Sequence, residues 1–262
     1  MKERKRVLIT VKAEPSPSKA HGDSVCTAGI TDQGEFIRLY PIPYRVFCDD
    51  KTKFSKYDWI EVDCEKSDND RRIESYKIDS ESIKVVGHVN TEYGWAERNE
   101  ILLPKVSKNF AELKESGASL GIIKPSEILK FEIGDTDDID MDCKKTFQMI
   151  FEGESGLRKI PVIKPRDRRF SYKFKCDGEK TEHAMVCEDW ELYESSRTWL
   201  NYYESEEILE EKIHEKFFHH FKNECNLHFF VGTHFVYKTW MIIGLYYPPK
   251  AKPSKQMKLF AL

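Results

Sequence analysis

The chain has 262 residues, of which 40% are hydrophobic, 33% are charged and 13% are aromatic. Its formal net charge of −3 gives the whole chain no attraction for nucleic acid, so any phosphate binding would need a local basic patch. Its apolar runs are far shorter than the roughly 18 residues that indicate a membrane-spanning helix, so we expect no membrane partner.

Short segments rich in β-branched and aromatic residues succeed one another through the first half of the chain. They predict strands at 5–12, 23–31, 35–40, 57–66, 71–78, 82–88 and 126–133. Between the last two of these strands the spacing of apolar residues changes and predicts two short helices, at 91–106 and 108–117. Five or six short strands with a helical insertion fit a small Greek-key barrel of the OB type.

The segment GDTDDIDMD holds five aspartates in nine residues. We interpret it as the boundary between two domains, although an acidic segment that competes for a basic groove is an alternative. The predicted division is an OB-like barrel with a helical insertion at 1–134, an acidic linker at 135–142 and a second domain at 143–262.

The second domain is predicted to be β-rich with two helices, and it could form a second OB-like barrel. A short element is expected at 144–151, strands at 159–163, 169–176, 183–188, 226–233 and 238–247, and helices at 191–203 and 206–223. In the second helix an apolar residue recurs every four positions, which predicts one buried stripe. The predicted class is therefore α+β and β-rich: two small OB-like β-barrel domains with helical insertions.

One predicted strand of the first domain carries an unusual row of side chains. Residues of a strand alternate between its faces, so Phe36, Arg38 and Tyr40 share one side while aliphatic residues take the other. Such a row can stack bases and hold phosphate. Alternatively, this face is ordinary packing, with Arg38 paired to Glu61 or Asp63.

A second basic stripe, KPRDRRFSYKFK at 164–175, has six positive charges and one negative charge. A basic face over an aromatic face suits a strand that lines a phosphate-binding groove, and a solvated surface strand is the alternative. Together the two stripes predict a nucleic-acid-binding set of Phe36, Arg38, Tyr40, Tyr44, Arg45, Arg168, Arg169 and Lys173.

The segment CDGEKTEHAMVCEDWE at 176–191 offers metal ligands. Cys176, His183 and Cys187 could bind zinc, with Cys225 or His228 as a fourth ligand. The spacing matches no standard zinc finger, so our main prediction includes no cofactor.

The same segment leaves a catalytic alternative open. His183, Asp189 and Glu191 could hold a divalent cation such as Mg²⁺ for phosphodiester cleavage. Carboxylates placed before a helix are also typical N-terminal caps, so our main prediction names no catalytic residue. Near the turn of the last hairpin, His234 and Lys238 could contact a ligand.

Six segments together resemble a family of uncharacterised prokaryotic proteins described as containing a dual OB domain. They are SVCTAGI, GEFIRLYPIPYR, YDWIEVD, RRIESYKI, HAMVCEDWELY and FFVGTHFVYKTWMIIGLYYPP, and they span most of the chain. The resemblance implies two OB-like barrels and nucleic-acid handling, in mobile-element or antiviral defence settings, and it transfers no residue roles. The helical segment at 191–223 departs from a bare OB barrel.

Three hypotheses of function remain open. The first is a nucleic-acid-binding module for DNA or RNA; the others are a metal-dependent nuclease or phosphodiesterase, and an adaptor for a protein partner or a nucleotide signal. GxxxxGK[ST], GxGxxG and GxSxG motifs are absent, which argues against an NTPase, a Rossmann enzyme and a serine hydrolase. Seven cysteines without a CxxC pair predict reduced thiols in a cytoplasmic protein.

Overall fold

The structure is a computed structural model that describes residues 2–18, 22–47, 49–135 and 168–251. Most of the predicted linker at 135–142 and the elements predicted at 144–151 and 159–163 lie outside these residues. The strands of the first domain are β1 (Glu3–Lys12), β2 (Ser16–Ser18), β3 (Gly22–Thr31), β4 (Phe36–Pro43), β5 (Asp58–Lys66), β6 (Ser75–Ile78) and β7 (Lys84–His88).

Five of these strands close into a barrel. Their order is β1-β3-β4-β6-β5, and β5 returns to pair with β1. β4 and β6 run parallel, whereas the other neighbours in the barrel are antiparallel. The predicted OB-like Greek-key barrel is thus confirmed for the first domain.

Face alternation decides what each strand buries. On β4, Ile37 and Leu39 are buried inside the barrel, as the sequence predicts. On β1, Val7 and Ile9 join the same interior, whereas Leu8 points the other way into a cluster shared with the second domain. β1 is therefore buried on both faces over its second half.

In the rest of the described chain, one α-helix links the barrel to a β-rich second domain, which contains four more α-helices. The linking helix is α1 (Glu92–Leu102). The later elements are β8 (Val106–Ser107), α2 (Phe110–Glu115), β9 (Leu120–Ile123), β10 (Glu127–Asp135), β11 (Arg168–Lys175), β12 (Glu182–Val186), α3 (Trp190–Trp199), α4 (Glu206–His214), α5 (Phe221–Glu224), β13 (His228–Thr233) and β14 (Trp240–Tyr246). A π-helical segment, Glu215–His220, joins α4 to α5.

The strands from β8 onward form two sheets, ordered β10-β11-β12 and β14-β13-β9-β8. An isolated bridge between Cys187 and Ile242 connects them. β10 corresponds to the strand that we place in the first domain from sequence, and the structure instead pairs it with β11. The reason is its apolar face, where the Phe131 ring centroid lies 4.8 Å from that of Tyr172 in the core of the second domain.

The predicted stripe of the second long helix is confirmed. Leu209, Ile213, Phe217 and Phe221 are all buried in the core of the second domain. The every-fourth-residue spacing keeps them on one face through the π-helical segment. Within the described part of the chain, no helix is long and apolar enough to cross a membrane.

The two domains share an apolar cluster and several buried polar contacts. The cluster unites Leu8 and Ile30 of the barrel with Ile122, Phe230 and other residues of the second domain. Nearby, the guanidinium of Arg197 on α3 donates to both carboxylate oxygens of Glu14, at 2.7 and 2.9 Å.

Candidate nucleic-acid interface

A loop of the barrel meets the hairpin turn of the second domain. The loop, residues 67–74, joins β5 to β6, and its Arg72 reaches the β13–β14 turn. Arg72 Nη1 donates to the carbonyl oxygen of Thr233 at 2.6 Å, and the guanidinium carbon lies 5.4 Å from the Phe235 ring centroid. The contact fixes an arginine against an accessible aromatic ring.

Asp70 holds Arg72 in this position. The Asp70 carboxylate accepts from Arg72 Nε at 2.9 Å and from Nη2 at 2.6 Å. Burial by itself would raise the pKa of Asp70, but the hydrogen bonds and charge of Arg72, with a further bond from Ser75, lower that pKa to about 2. The carboxylate therefore stays charged, and the orientation of the guanidinium is set before any ligand arrives.

The hairpin turn exposes three consecutive apolar side chains. Phe235, Val236 and Tyr237 are 49%, 66% and 63% exposed. His234 shapes the turn, because its Nδ1 accepts from the backbone N–H groups of Val236 and Tyr237, each at 3.2 Å. Lys238 Nζ lies 5.3 Å from the Phe235 ring centroid. Phe235 is thus flanked by Arg72 and Lys238.

A groove of about 410 Å³ begins beside the same loop. Its walls include Phe36, Ile73 and Tyr76, together with Lys5 and Lys66. Two ammonium groups approach the Tyr76 ring, with Lys5 Nζ 5.0 Å and Lys66 Nζ 4.3 Å from its centroid. Lys66 also donates to the carbonyl oxygen of Ile73, which links the groove to the loop.

The loop at 67–74 contacts both the groove and the turn, and we call the two together the basic–aromatic strip. Its members are Lys5, Phe36, Lys66, Arg72, Tyr76, Phe235, Tyr237 and Lys238. Two acidic residues also border the groove, Glu35 and Glu74. Both carboxylate oxygens of Glu74 accept hydrogen bonds from Ser119, at 2.7 and 2.6 Å, so its charge is directed toward the second domain.

Sequence reasoning finds only part of this strip. It singles out two of its members, Phe36 and Lys238, and also His234, which shapes the turn. The proposed ligand roles of His234 and Lys238 stay predictions. A signal for the hairpin turn was present, because three apolar residues in a turn contradict the polar composition that turns usually have. The pairing of Arg72 with Phe235 had no local signal, since it depends on how the two domains pack.

Arg38 does not face a ligand groove. Its side chain is 2% exposed, and its guanidinium donates to Ser75 Oγ at 3.4 Å, to Ser119 Oγ at 3.1 Å and to the Ser119 carbonyl oxygen at 3.2 Å. The prediction that it holds phosphate is wrong, because the second domain covers this face of β4. The alternative of a buried, packed arginine is confirmed, but its partners are Ser75 and Ser119, whereas Glu61 and Asp63 pair with Arg4.

The other aromatic candidates of the first stripe lie away from the groove. Ser24 Oγ donates to Tyr40 Oη at 3.2 Å, and the Tyr44 ring centroid lies 5.7 Å from that of Trp190. Tyr44 therefore packs against the second domain. The Arg45 side chain lies outside the described part of the chain.

The second stripe is neutralised by carboxylates within its own domain. Arg168 is buried and pairs with Glu210 at 2.8 Å, and Lys173 pairs with Glu182 at 2.8 Å. Arg169 lies half-buried on β11, opposite Gly134 of β10. The contacts of the two stripes do not meet in the described structure, so the stripes do not form one groove there.

The catalytic alternative is contradicted by the surroundings of its carboxylates. Asp189 caps α3, accepting from Leu192 N at 3.1 Å, and it also accepts from Leu245 N at 2.9 Å and Lys56 Nζ at 3.2 Å. Glu191 pairs with the same ammonium at 3.0 Å. Lys56 faces two carboxylates, which raise its pKa against the effect of burial. These acids bind an internal lysine and not a cation from solvent.

The predicted zinc set is only partly assembled. Cys187 is buried and belongs to the core, apart from the group that contains the other two residues. His183 Nε2 lies 2.6 Å from a carboxylate oxygen of Glu179, and Cys176 is close to both. Burial, with Glu179 adding to it, raises the pKa of the Cys176 thiol to about 12.

The fold and the strip define a two-domain protein in which an OB-like barrel is packed against a second β-rich domain. Residues 105–262 match the family described as a domain of unknown function, DUF8757, and residues 3–104 match another, DUF8758. Since the first match covers more than half of the chain, the chain belongs to the DUF8757 family. The two matches meet just before β8, where the sheets also divide. No curated protein matches the chain.

Proposed function

We propose that the protein binds single-stranded nucleic acid along the basic–aromatic strip. The observation that carries this proposal is the repeated placement of cations around aromatic rings, the exposed Phe235 and the partly buried Tyr76. Lys5 and Lys66 flank Tyr76 at 5.0 and 4.3 Å, and Arg72 and Lys238 flank Phe235 at 5.4 and 5.3 Å. Unpaired bases stack on such rings, and the neighbouring cations bind the phosphates between them.

Single strands suit this surface better than duplexes. The stacking faces of a duplex are already occupied, whereas an unpaired base can enter a groove of about 410 Å³ and lie on Tyr76. The negative net charge of the chain does not oppose the proposal, because phosphate attraction is local and depends chiefly on Lys66 and Lys238. Arg72 is paired with Asp70 and Lys5 with Glu3, at 3.1 Å, so both add less to that attraction. DNA and RNA both carry the groups that the strip would recognise.

The test is an anisotropy titration with labelled single-stranded DNA and RNA at two salt concentrations. Stacking contributes about 1–3 kcal/mol per base, so Tyr76→Ala and Phe235→Ala should each weaken binding by about 5- to 150-fold. Tyr202→Ala is the matched control, since Tyr202 is an aromatic residue that is 75% exposed outside the strip. Affinity of the unchanged protein should fall steeply as salt rises.

A flat salt response, or equal affinity in Tyr76→Ala and Tyr202→Ala, would refute the proposal. Tighter binding to duplex than to single strands would also contradict it. Copurification of a stoichiometric protein partner, without nucleic acid and dependent on Phe235, would favour the adaptor hypothesis. We also propose that the protein meets such strands in the cytoplasm. The setting would be the antiviral defence or mobile-element system that the resemblance implies.

A further inference from the structure

A metal-ligating group lies on the turn between β11 and β12, within the second domain. Cys176 Sγ, a Glu179 carboxylate oxygen and a His183 ring nitrogen all lie within 4.8 Å of one another. Across the ranges that the structure describes, no other cluster of three such side chains is this close. Sulfur, oxygen and nitrogen donors therefore converge from a single hairpin.

The local fold explains why these three side chains meet. Gly178 has a φ of +74°, a left-handed conformation that reverses the chain between Cys176 and Glu179. His183 lies on β12 opposite Phe174 of β11, which brings its ring back over the turn. Asn109 Nδ2 donates to the Asp177 carbonyl oxygen at 3.1 Å and ties the turn to the start of α2.

Apolar neighbours enclose one side of the group. The His183 ring centroid lies 4.7 Å from that of Phe110 and 5.4 Å from that of Phe174. Cys176 is buried, while the side chains of Glu179 and His183 keep a minor part of their surface in solvent. The site is thus shielded from bulk water on the sulfur side and reachable by an ion on the other.

We propose that Cys176, Glu179 and His183 bind a Zn²⁺ ion through three protein ligands, leaving a fourth position for water or an external ligand. Thiolate, imidazole and carboxylate are the three donor types that zinc takes in proteins, and three protein ligands with one open position is a recurrent arrangement. Glu179 replaces Cys187 of the sequence prediction, because Glu179 and not Cys187 lies within 4.8 Å of the other two ligand atoms. The thiol proton of Cys176 passes to solvent when the ion binds.

The required rearrangement is small. Tetrahedral zinc with bonds of about 2.0–2.2 Å to nitrogen and oxygen places those two atoms about 3.4 Å apart. The present Nε2–Oε2 separation of 2.6 Å is a hydrogen bond that the ion would replace. Side-chain rotations of Glu179 and His183 on the turn supply the difference of about an ångström without moving the strands.

The experiment uses the full chain, stripped of metal and titrated with Co²⁺ as a spectroscopic substitute. We expect one ion per chain, a thiolate-to-cobalt charge-transfer band in the near ultraviolet and tetrahedral bands in the visible range, all abolished by added Zn²⁺. Cys176→Ser should remove the charge-transfer band. Loss of a residue that only hydrogen-bonds to a metal ligand weakens metal binding by about 10- to 100-fold. Glu179→Gln and His183→Gln each remove a ligand itself, so each should weaken Co²⁺ binding by more than that.

Matched controls are Cys26→Ser and His88→Gln, which lie outside the group and should bind Co²⁺ as the unchanged protein does. Glu179→Gln keeps the size of the side chain, so its unfolding midpoint measured with a chelator present shows whether the fold survives. A folded unchanged protein without the charge-transfer band would overturn the proposal. So would a band that persists in Cys176→Ser or disappears in Cys26→Ser.

Discussion

Lys56 is a buried cation that holds the two domains together. Its Nζ lies 3.2 Å from Asp189 Oδ2 and 3.0 Å from Glu191 Oε2, and it also donates to the Leu245 carbonyl oxygen at 3.3 Å. The ammonium comes from the barrel, whereas all three acceptors come from the second domain. Lys56→Met therefore removes one charge of a buried pair and leaves the other.

The expected loss follows from what remains around Asp189. Removing one partner of a buried ion pair costs about 3–5 kcal/mol, because the remaining charge is left uncompensated in a medium of low polarity. Asp189 would keep two backbone donors, Leu192 N at 3.1 Å and Leu245 N at 2.9 Å. We therefore expect Lys56→Met to lower the free energy of unfolding by about 3 kcal/mol, near the low end of that range.

The double variant Lys56→Met with Asp189→Asn distinguishes this reasoning from simple loss of packing. Asparagine can still cap α3, and neither remaining group is a buried charge, so the double variant should be more stable than Lys56→Met alone. Urea unfolding measures all four corners of the cycle, provided that the dependence on denaturant is unchanged. Additive losses, with no recovery in the double variant, would refute the argument.

A surface pair provides the control for this cycle. Lys53 and Asp50 form a contact of 2.5 Å, yet both side chains are largely exposed. Lys53→Met should leave the unfolding midpoint nearly unchanged, because water screens such pairs. A large effect at Lys53 would mean that loss of any lysine in this loop is destabilising.

Three further predictions concern stability. Burial lowers the pKa of His228 from 6.5 to about 4. Between these pH values the unfolded chain binds more protons than the folded one, so the contribution of His228 makes the free energy of unfolding fall as pH is lowered from 6.5 to 4. His228→Gln should lose this contribution, whereas His88→Gln should keep it. The pKa of Asp70 is lowered from 3.8 to about 2, so its stabilisation is present above pH 3.8 and lost toward pH 2. Asp70→Asn should therefore lose less stability than the unchanged protein in that window. A Cβ at Gly29 would lie 2.2 Å from a carbonyl oxygen of β1, so Gly29→Ala should lower the free energy of unfolding by at least about 1–3 kcal/mol. Gly87→Ala should lower it by less, because its Cβ would make an ordinary contact at 3.8 Å. Chemical unfolding followed by circular dichroism checks all three.

The barrel could be predicted from sequence because each strand has a recognisable pattern in its own residues. The alternation around Ile37 and Leu39 identified the interior face, and the β-branched run of β1 identified a central strand. The role of Arg38 could not be read in the same way. An alternating strand shows that its second face differs from the first, but it does not show whether solvent, a ligand or another domain covers that face.

The candidate strip was harder to predict because its parts are far apart in the chain. Arg72 and Phe235 meet only through packing of the two domains, and Tyr76 gains its second cation from β1. By contrast, Cys176 and His183 were singled out correctly as neighbours, because a single hairpin joins them. Short-range pairs can be read from spacing, whereas contacts between domains need the tertiary structure.

The double-sided burial of β1 has a consequence for how the chain can be divided. Leu8, Ile30 and their neighbours on the outer face of the barrel pack in one cluster with Ile122, Phe230 and Tyr246, which all lie beyond position 104. A fragment ending at that boundary would expose a contiguous apolar face on the outside of the closed barrel, which favours self-association. The two family regions are therefore expected to unfold in one cooperative transition, and protease-resistant fragments of the barrel alone should not accumulate.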